Sequence, residues 1–168
     1  MYKFLMIPIV LIGLTIDALG QSSASATATA TLVAPIAIVQ VEDMNFGNAA
    51  VTDEAGTVIL ATDGSRTVTD GVTLPATEGT VTAAQFTVTG EEDYTYDITL
   101  PASHIITRVA GAETMTVDAF TSDPTVLAGV LTLGTETVNV GATLNVSASQ
   151  VAGTYTNATG FEVTVNYN

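Results

Sequence analysis

Phe86-Thr87-Val88-Thr89-Gly90-Glu91-Glu92-Asp93-Tyr94-Thr95-Tyr96-Asp97-Ile98-Thr99-Leu100 is the stretch whose reading decides the fold class. Phe86 and Val88 on one side of Gly90, and Tyr94, Tyr96, Ile98 and Leu100 on the other, recur with a period of two. Successive side chains of a strand point to opposite faces, so this is the spacing of a half-buried strand and not of a helix. Gly90 with the acids Glu91, Glu92 and Asp93 reads as a turn, and the two runs are expected to pair as a hairpin with one shared apolar face.

Outward from it the same character persists. Strand-like runs are read at 57–61, 66–69, 72–74, 84–89, 94–100, 105–109, 114–120, 130–133, 137–140, 143–146 and 161–167. Asp63-Gly64, Asp70-Gly71, Gly90, Gly134, Gly141 and Gly153 are read as turns between them. A spacing of roughly 8 to 12 residues with β-branched filling predicts an antiparallel sandwich or barrel, and no helix is expected after Gly20. The terminal run places Phe161, Val163, Val165 and Tyr167 on one face, with Glu162, Thr164 and Asn166 on the other. A terminus this regular is expected to be tied into a sheet.

Residues 1–20 carry one cation, Lys3, then the apolar run from Phe4 to Ile16, then Ala18-Leu19-Gly20. These are the three regions of a signal peptide, and the apolar run is too short to span a bilayer. Gln21 is the expected first mature residue of a single domain over 21–168, with no membrane span. From Ala24 to Val33 alanine and threonine alternate, which predicts a strand with a thin apolar face made by Ala26, Ala28, Ala30 and Leu32. Pro35 interrupts it before extended character resumes at Ile36.

Of 168 residues 47% are hydrophobic, enough for one sizeable core, and the net charge is −14 from 17 acids against three cations. Removing Lys3 and Asp17 with the leader leaves that net charge unchanged, with Arg66 and Arg108 as the cations. Phosphate-rich partners are repelled by such a surface, so nucleic acid is not an expected partner. The absence of Cys removes disulfides, thiolate metal sites and cysteine nucleophiles.

Catalytic chemistry is thin. His104 is the sole imidazole, its neighbour Ser103 points to the opposite face of any strand, and a lone loop or surface histidine is the reading. No phosphate-binding loop is present, and the mature chain has no Lys. No enzyme activity and no cofactor are expected. Calcium is the one cation for which carboxylates are in place, at Asp53-Glu54, at Glu91, Glu92 and Asp93, and at Asp118 with Asp123. None of these has the alternating spacing of a dedicated calcium loop, and solvated turns explain them as well.

Several phrases together carry a resemblance: the tract Ala26 to Ala30, Met44-Asn45-Phe46-Gly47, Phe86-Thr87-Val88-Thr89-Gly90, Ile98-Thr99-Leu100-Pro101, Met115-Thr116-Val117-Asp118, and Gly153-Thr154-Tyr155 before Val163-Thr164-Val165-Asn166-Tyr167. The chain resembles the exported bacterial proteins of the family called domain of unknown function 4402, and more distantly the spore coat protein U type pilins of archaic chaperone–usher fimbriae. The pilin likeness implies an incomplete immunoglobulin-like β-sandwich completed by the N-terminal extension of the next subunit. In this chain 24–33 would be the donor, inserting Ala26, Ala28, Ala30 and Leu32. Those pilins usually carry a disulfide, which this chain cannot.

Two functions follow as expectations for a protein at a bacterial cell surface or outside the cell. One is a structural or adhesive subunit that joins copies of itself, or other surface subunits, by β-strand addition, with Phe161, Val163, Val165 and Tyr167 lining the receiving groove. The other is a self-contained monomeric binding module in which the N-terminal strand completes its own sandwich and the acidic loops meet calcium or a cell-surface glycan.

Overall fold

Threonine and valine form ladders nearly everywhere their alternation is regular. The structure, a computed structural model, describes residues 20–168, so the leader falls outside the described residues except for Gly20. The chain divides into two units, Met1–Leu32 and Val33–Asn168. In the first, residues 20–32 are exposed and belong to no strand.

The second unit holds β1 Ala37–Glu42, β2 Asn45–Phe46, β3 Ala50–Leu60, β4 Arg66–Thr73, β5 Val81–Thr82, β6 Ala84–Thr89 and β7 Thr95–Thr99. Then follow β8 Ser103–Arg108, β9 Thr114–Asp123, β10 Gly129–Val130, β11 Thr135–Val146, β12 Tyr155–Thr156 and β13 Thr164–Tyr167. The helical content among the described residues is a single 3-10 turn, Thr132–Gly134. All pairings are antiparallel. One sheet runs β1-β6-β11-β9-β8-β12, with the β3–β4 pair joined to β11; a second runs β10-β7-β13; β2 and β5 form a small ladder of their own.

The two larger sheets face each other as a sandwich. Their common core contains Phe86, Val88, Val138 and Val140 from the large sheet, Tyr96, Ile98 and Val165 from the small one, and Leu131. Tyr96, Val88, Val138, Val140 and Leu131 are fully buried. Tyr96 stays satisfied there because its hydroxyl donates to Glu136 Oε2 at 2.9 Å.

The expected hairpin does not form. β6 and β7 lie in opposite sheets, since β6 is laddered on both sides, by β1 and β11, and has no edge left for β7. Alternation records that both runs bury one face; it does not distinguish strands side by side from strands facing each other across a core. The link between them crosses the sandwich, held by Gly90 N–H to Gly134 O at 3.0 Å and Asp93 N–H to Leu131 O at 2.9 Å.

Other boundaries move for physical reasons. Asp63-Gly64 turns as expected, with Gly64 at φ +81° and Ala61 N–H bonded to Ser65 O. Asp70-Gly71 instead sits inside β4, opposite an irregular stretch of β3 between Val51 and Gly56. Gly141 is not a turn either: it lies within the twelve-residue β11, where a Cβ would strike the Leu60 carbonyl, so glycine lets the β3 backbone approach. The run at 130–133 shortens to β10 followed by the 3-10 turn. The strand expected over 24–33 is absent, and three of its four apolar positions are alanines that bury too little area to offset backbone ordering.

Candidate functional site

β11 is long enough to serve two environments. Its first half, Val138 and Val140, lies under the small sheet, while Leu144 and Val146 belong to a second cluster with Val58, Val72, Val117 and Ala142. No strand of the small sheet contributes to that second cluster. Met44, Phe46 and Val51 pack against part of it, and the rest forms the floor of an open trench of about 1120 Å³. That exceeds the roughly 300–1,000 Å³ of a small-molecule pocket.

Ile106 of β8, Met115 and Val117 of β9, Leu144 and Val146 of β11 and Val72 of β4 line the floor. The walls are residues 43–51 on one side and 150–161 on the other. The first wall is braced by Arg66, whose guanidinium donates to the carbonyls of Phe46, Asn48 and Glu78. The second is braced by Gln150 Nε2 to Thr114 O at 3.2 Å, Tyr155 Oη to Val151 O at 2.7 Å and Asn157 Nδ2 to Ile105 O at 2.9 Å. In a chain of net charge −14, the trench lining has one carboxylate, Asp43, and one imidazole, His104.

Phe161 closes one end of the trench, with its ring against Phe120 (5.0 Å), Phe86 (6.3 Å) and His104 (6.2 Å). His104 is therefore not a loop residue; it lies half-buried on β8 and lines the open trench. Beyond Phe161 the chain enters β13, which ladders with β7 alone. Asn168 N–H donates to Thr95 O, and Ile98 N–H turns away to Val126 O. By the alternation of an antiparallel pair, the backbone groups of Val165 and Tyr167 point to the open edge. Their side chains face inward: Val163 and Val165 are buried and Tyr167 half-buried. The expected groove residues thus lie along one line, although the ladder begins at Thr164 and not at Phe161.

The expected donors Ala26, Ala28, Ala30 and Leu32 are exposed and unladdered, Leu32 at 91%. Among the described residues no three acids or histidines gather as a metal site. Asp118 and Asp123 lie five residues apart on β9, about 16 Å at the rise of a strand, and pair with different residues of β11. Of the acids Glu91, Glu92 and Asp93, Glu91 uses its Oε2 to accept the N–H of Ala34 at 2.8 Å.

The sequence assigned no site role to the floor residues Ile106, Met115, Leu144 and Val146, or to the wall brace Arg66. The floor alternates like any core strand, and only topology shows which half of each strand has no facing strand of the small sheet. Among the described residues no helix is long and apolar enough to cross a membrane. No curated protein and no solved structure matches the chain. The family described as domain of unknown function (DUF4402) matches residues 36–167, the greater part of the sandwich with both trench walls and β13, and the chain belongs to that family.

Proposed function

We propose that this is an exported, non-enzymatic structural protein of the bacterial surface whose copies join by β-strand addition. Residues 24–33 of one copy enter the trench and β13 edge of the next. The observation that carries the reading is a match of opposites within one chain: a nearly uncharged trench that reaches Phe161, followed shortly along the chain by the unpaired edge of β13, and an extension with no charged side chain that belongs to no sheet. Adding a strand satisfies the outward N–H and C=O groups of Val165 and Tyr167 and buries the alternate side chains of the donor. Alanine at three donor positions gives little apolar area per residue, so backbone pairing supplies much of the specificity and Leu32 most of the hydrophobic anchor.

Deleting residues 21–33 tests the reading. The remaining chain is expected to stay folded and soluble and to form no filaments by electron microscopy, while the full mature chain forms them at high concentration. Filaments of normal length from the truncated chain would contradict strand addition. A truncated chain that unfolds would instead favour an extension that completes its own sandwich.

A further inference from the structure

The root of the extension and the receiving strand are joined by one closed set of hydrogen bonds. Ala34 N–H donates to Glu91 Oε2 at 2.8 Å, Glu91 N–H donates to Tyr167 Oη at 2.6 Å, and Tyr167 O–H donates to Ala34 O at 2.8 Å. Both backbone polar groups of Ala34 are therefore held by side chains. Pro35, next in the chain, biases Ala34 to extended backbone and has no N–H of its own to offer. The phenol is fixed in turn: the Tyr94 ring packs edge-on at 5.5 Å, and Gly90 leaves the space its hydroxyl fills, since a Cβ there would collide with it. The side-chain bonds at the root of the extension thus end on the last residue of β13, the strand whose open edge is the proposed acceptor.

We infer that Tyr167 and Glu91 are positioning residues that couple the two ends of the proposed junction within each copy. The inference rests on the strand-addition reading for its purpose, though the clamp itself belongs to the single chain. In a row of copies, load arriving through a strand seated on β13 passes at Tyr167 directly into Ala34 and out along the next extension, so it bypasses the buried core. The coupling is reciprocal: a strand that orders the end of β13 also orders the clamp, and so fixes the root of that copy's own extension.

Pulling a single mature chain between residues 21 and 168 loads this clamp first. Tyr167→Phe keeps the ring but leaves Glu91 N–H and Ala34 O without a partner; it is expected to shorten the lifetime of the first rupture at fixed force by about tenfold, the factor carried by one to two net hydrogen bonds. Glu91→Ala, which removes a single bond, is expected to shorten it less. Tyr155→Phe, whose hydroxyl serves Val151 on the trench wall, is expected to leave it unchanged. Pulled instead between Gly64 and Gly111, the Tyr167→Phe chain is expected to keep the parent lifetime. An unchanged lifetime along the terminal axis in both clamp variants would overturn the inference. So would an equal loss along both axes, which marks general weakening. None of these measurements needs filaments, so failure of the clamp and failure of strand addition are read separately.

Discussion

One large sheet presents two unlike halves. Where β1, β6 and the first half of β11 lie under β10-β7-β13, the core is closed and holds fully buried Tyr96, Val88 and Val138. Where β11 continues to Leu144 and Val146 beside β9 and β8, similar apolar alternation faces a trench. The difference lies in coverage, not in side-chain chemistry. The trench floor is buried beneath loops instead of a facing sheet, so strand coverage of the large sheet is complete only in its first half.

Truncating one leucine in each half gives the largest expected contrast. Leu131→Ala, at a fully buried site, is expected to cost toward the upper part of roughly 2–5 kcal/mol, because the closed core has little room to collapse. Leu144 is buried too but lines the trench, where neighbours have more freedom to relax, and Leu144→Ala is expected near the lower end of that range. Urea denaturation of both variants measures the difference, and equal losses would mean that the trench floor is as tightly packed as the core.

The alkaline limb of stability tests the closed half further. Burial, with the hydrogen bond to Glu136 adding to it, pushes the Tyr96 phenol well above its ordinary value of 10.0. A folded value above the unfolded one favours the protonated form, so this contribution is complete below pH 10 and is lost as pH rises beyond it. Tyr96→Phe is expected to flatten the fall of the urea midpoint above pH 10. An unchanged slope would show that the buried phenol does not carry it. Removing the acceptor acts in the same place: Glu136 Oε2 also accepts Val130 N–H at 2.8 Å, and Glu136→Ala is expected to cost about 1–3 kcal/mol.

The smallest effect belongs to the exposed ion pair beside the trench wall. The hydrogen bond from Arg108 holds the Glu113 carboxyl below its usual range, so the contribution is present above that range and lost as pH falls through the lowered value. Glu113→Gln is expected to flatten the acid limb slightly in a thermal melt. A large drop at neutral pH would show that the pair holds the end of β8 in place.

The closed half was the more legible in the sequence. Phe86, Val88, Tyr96, Ile98, Val163 and Val165 were all assigned their correct faces by period alone, because a side chain's direction is a local property. Which strand each run would meet is not local, and the supposed hairpin separated into two sheets. Gly141 and Gly71 read as turns because glycine marks both turns and close backbone approach, and only the neighbouring β3 chain distinguishes them. The strand edge of β13 was legible, through the regular run ending at Tyr167, and the trench floor was not. The part played by Glu91 was hidden for the same reason: its partner Ala34 lies 57 residues away in the chain.

Amide hydrogen exchange on residues 34–168, with and without a free peptide of residues 21–33, tests the missing-strand claim most directly. Strand addition predicts that the peptide slows exchange at Val165 and Tyr167, the amides on the open edge of β13, while Thr164 and Asn166, already turned toward β7, change little. Binding with no new protection at Val165 and Tyr167, or no binding at all, would contradict it.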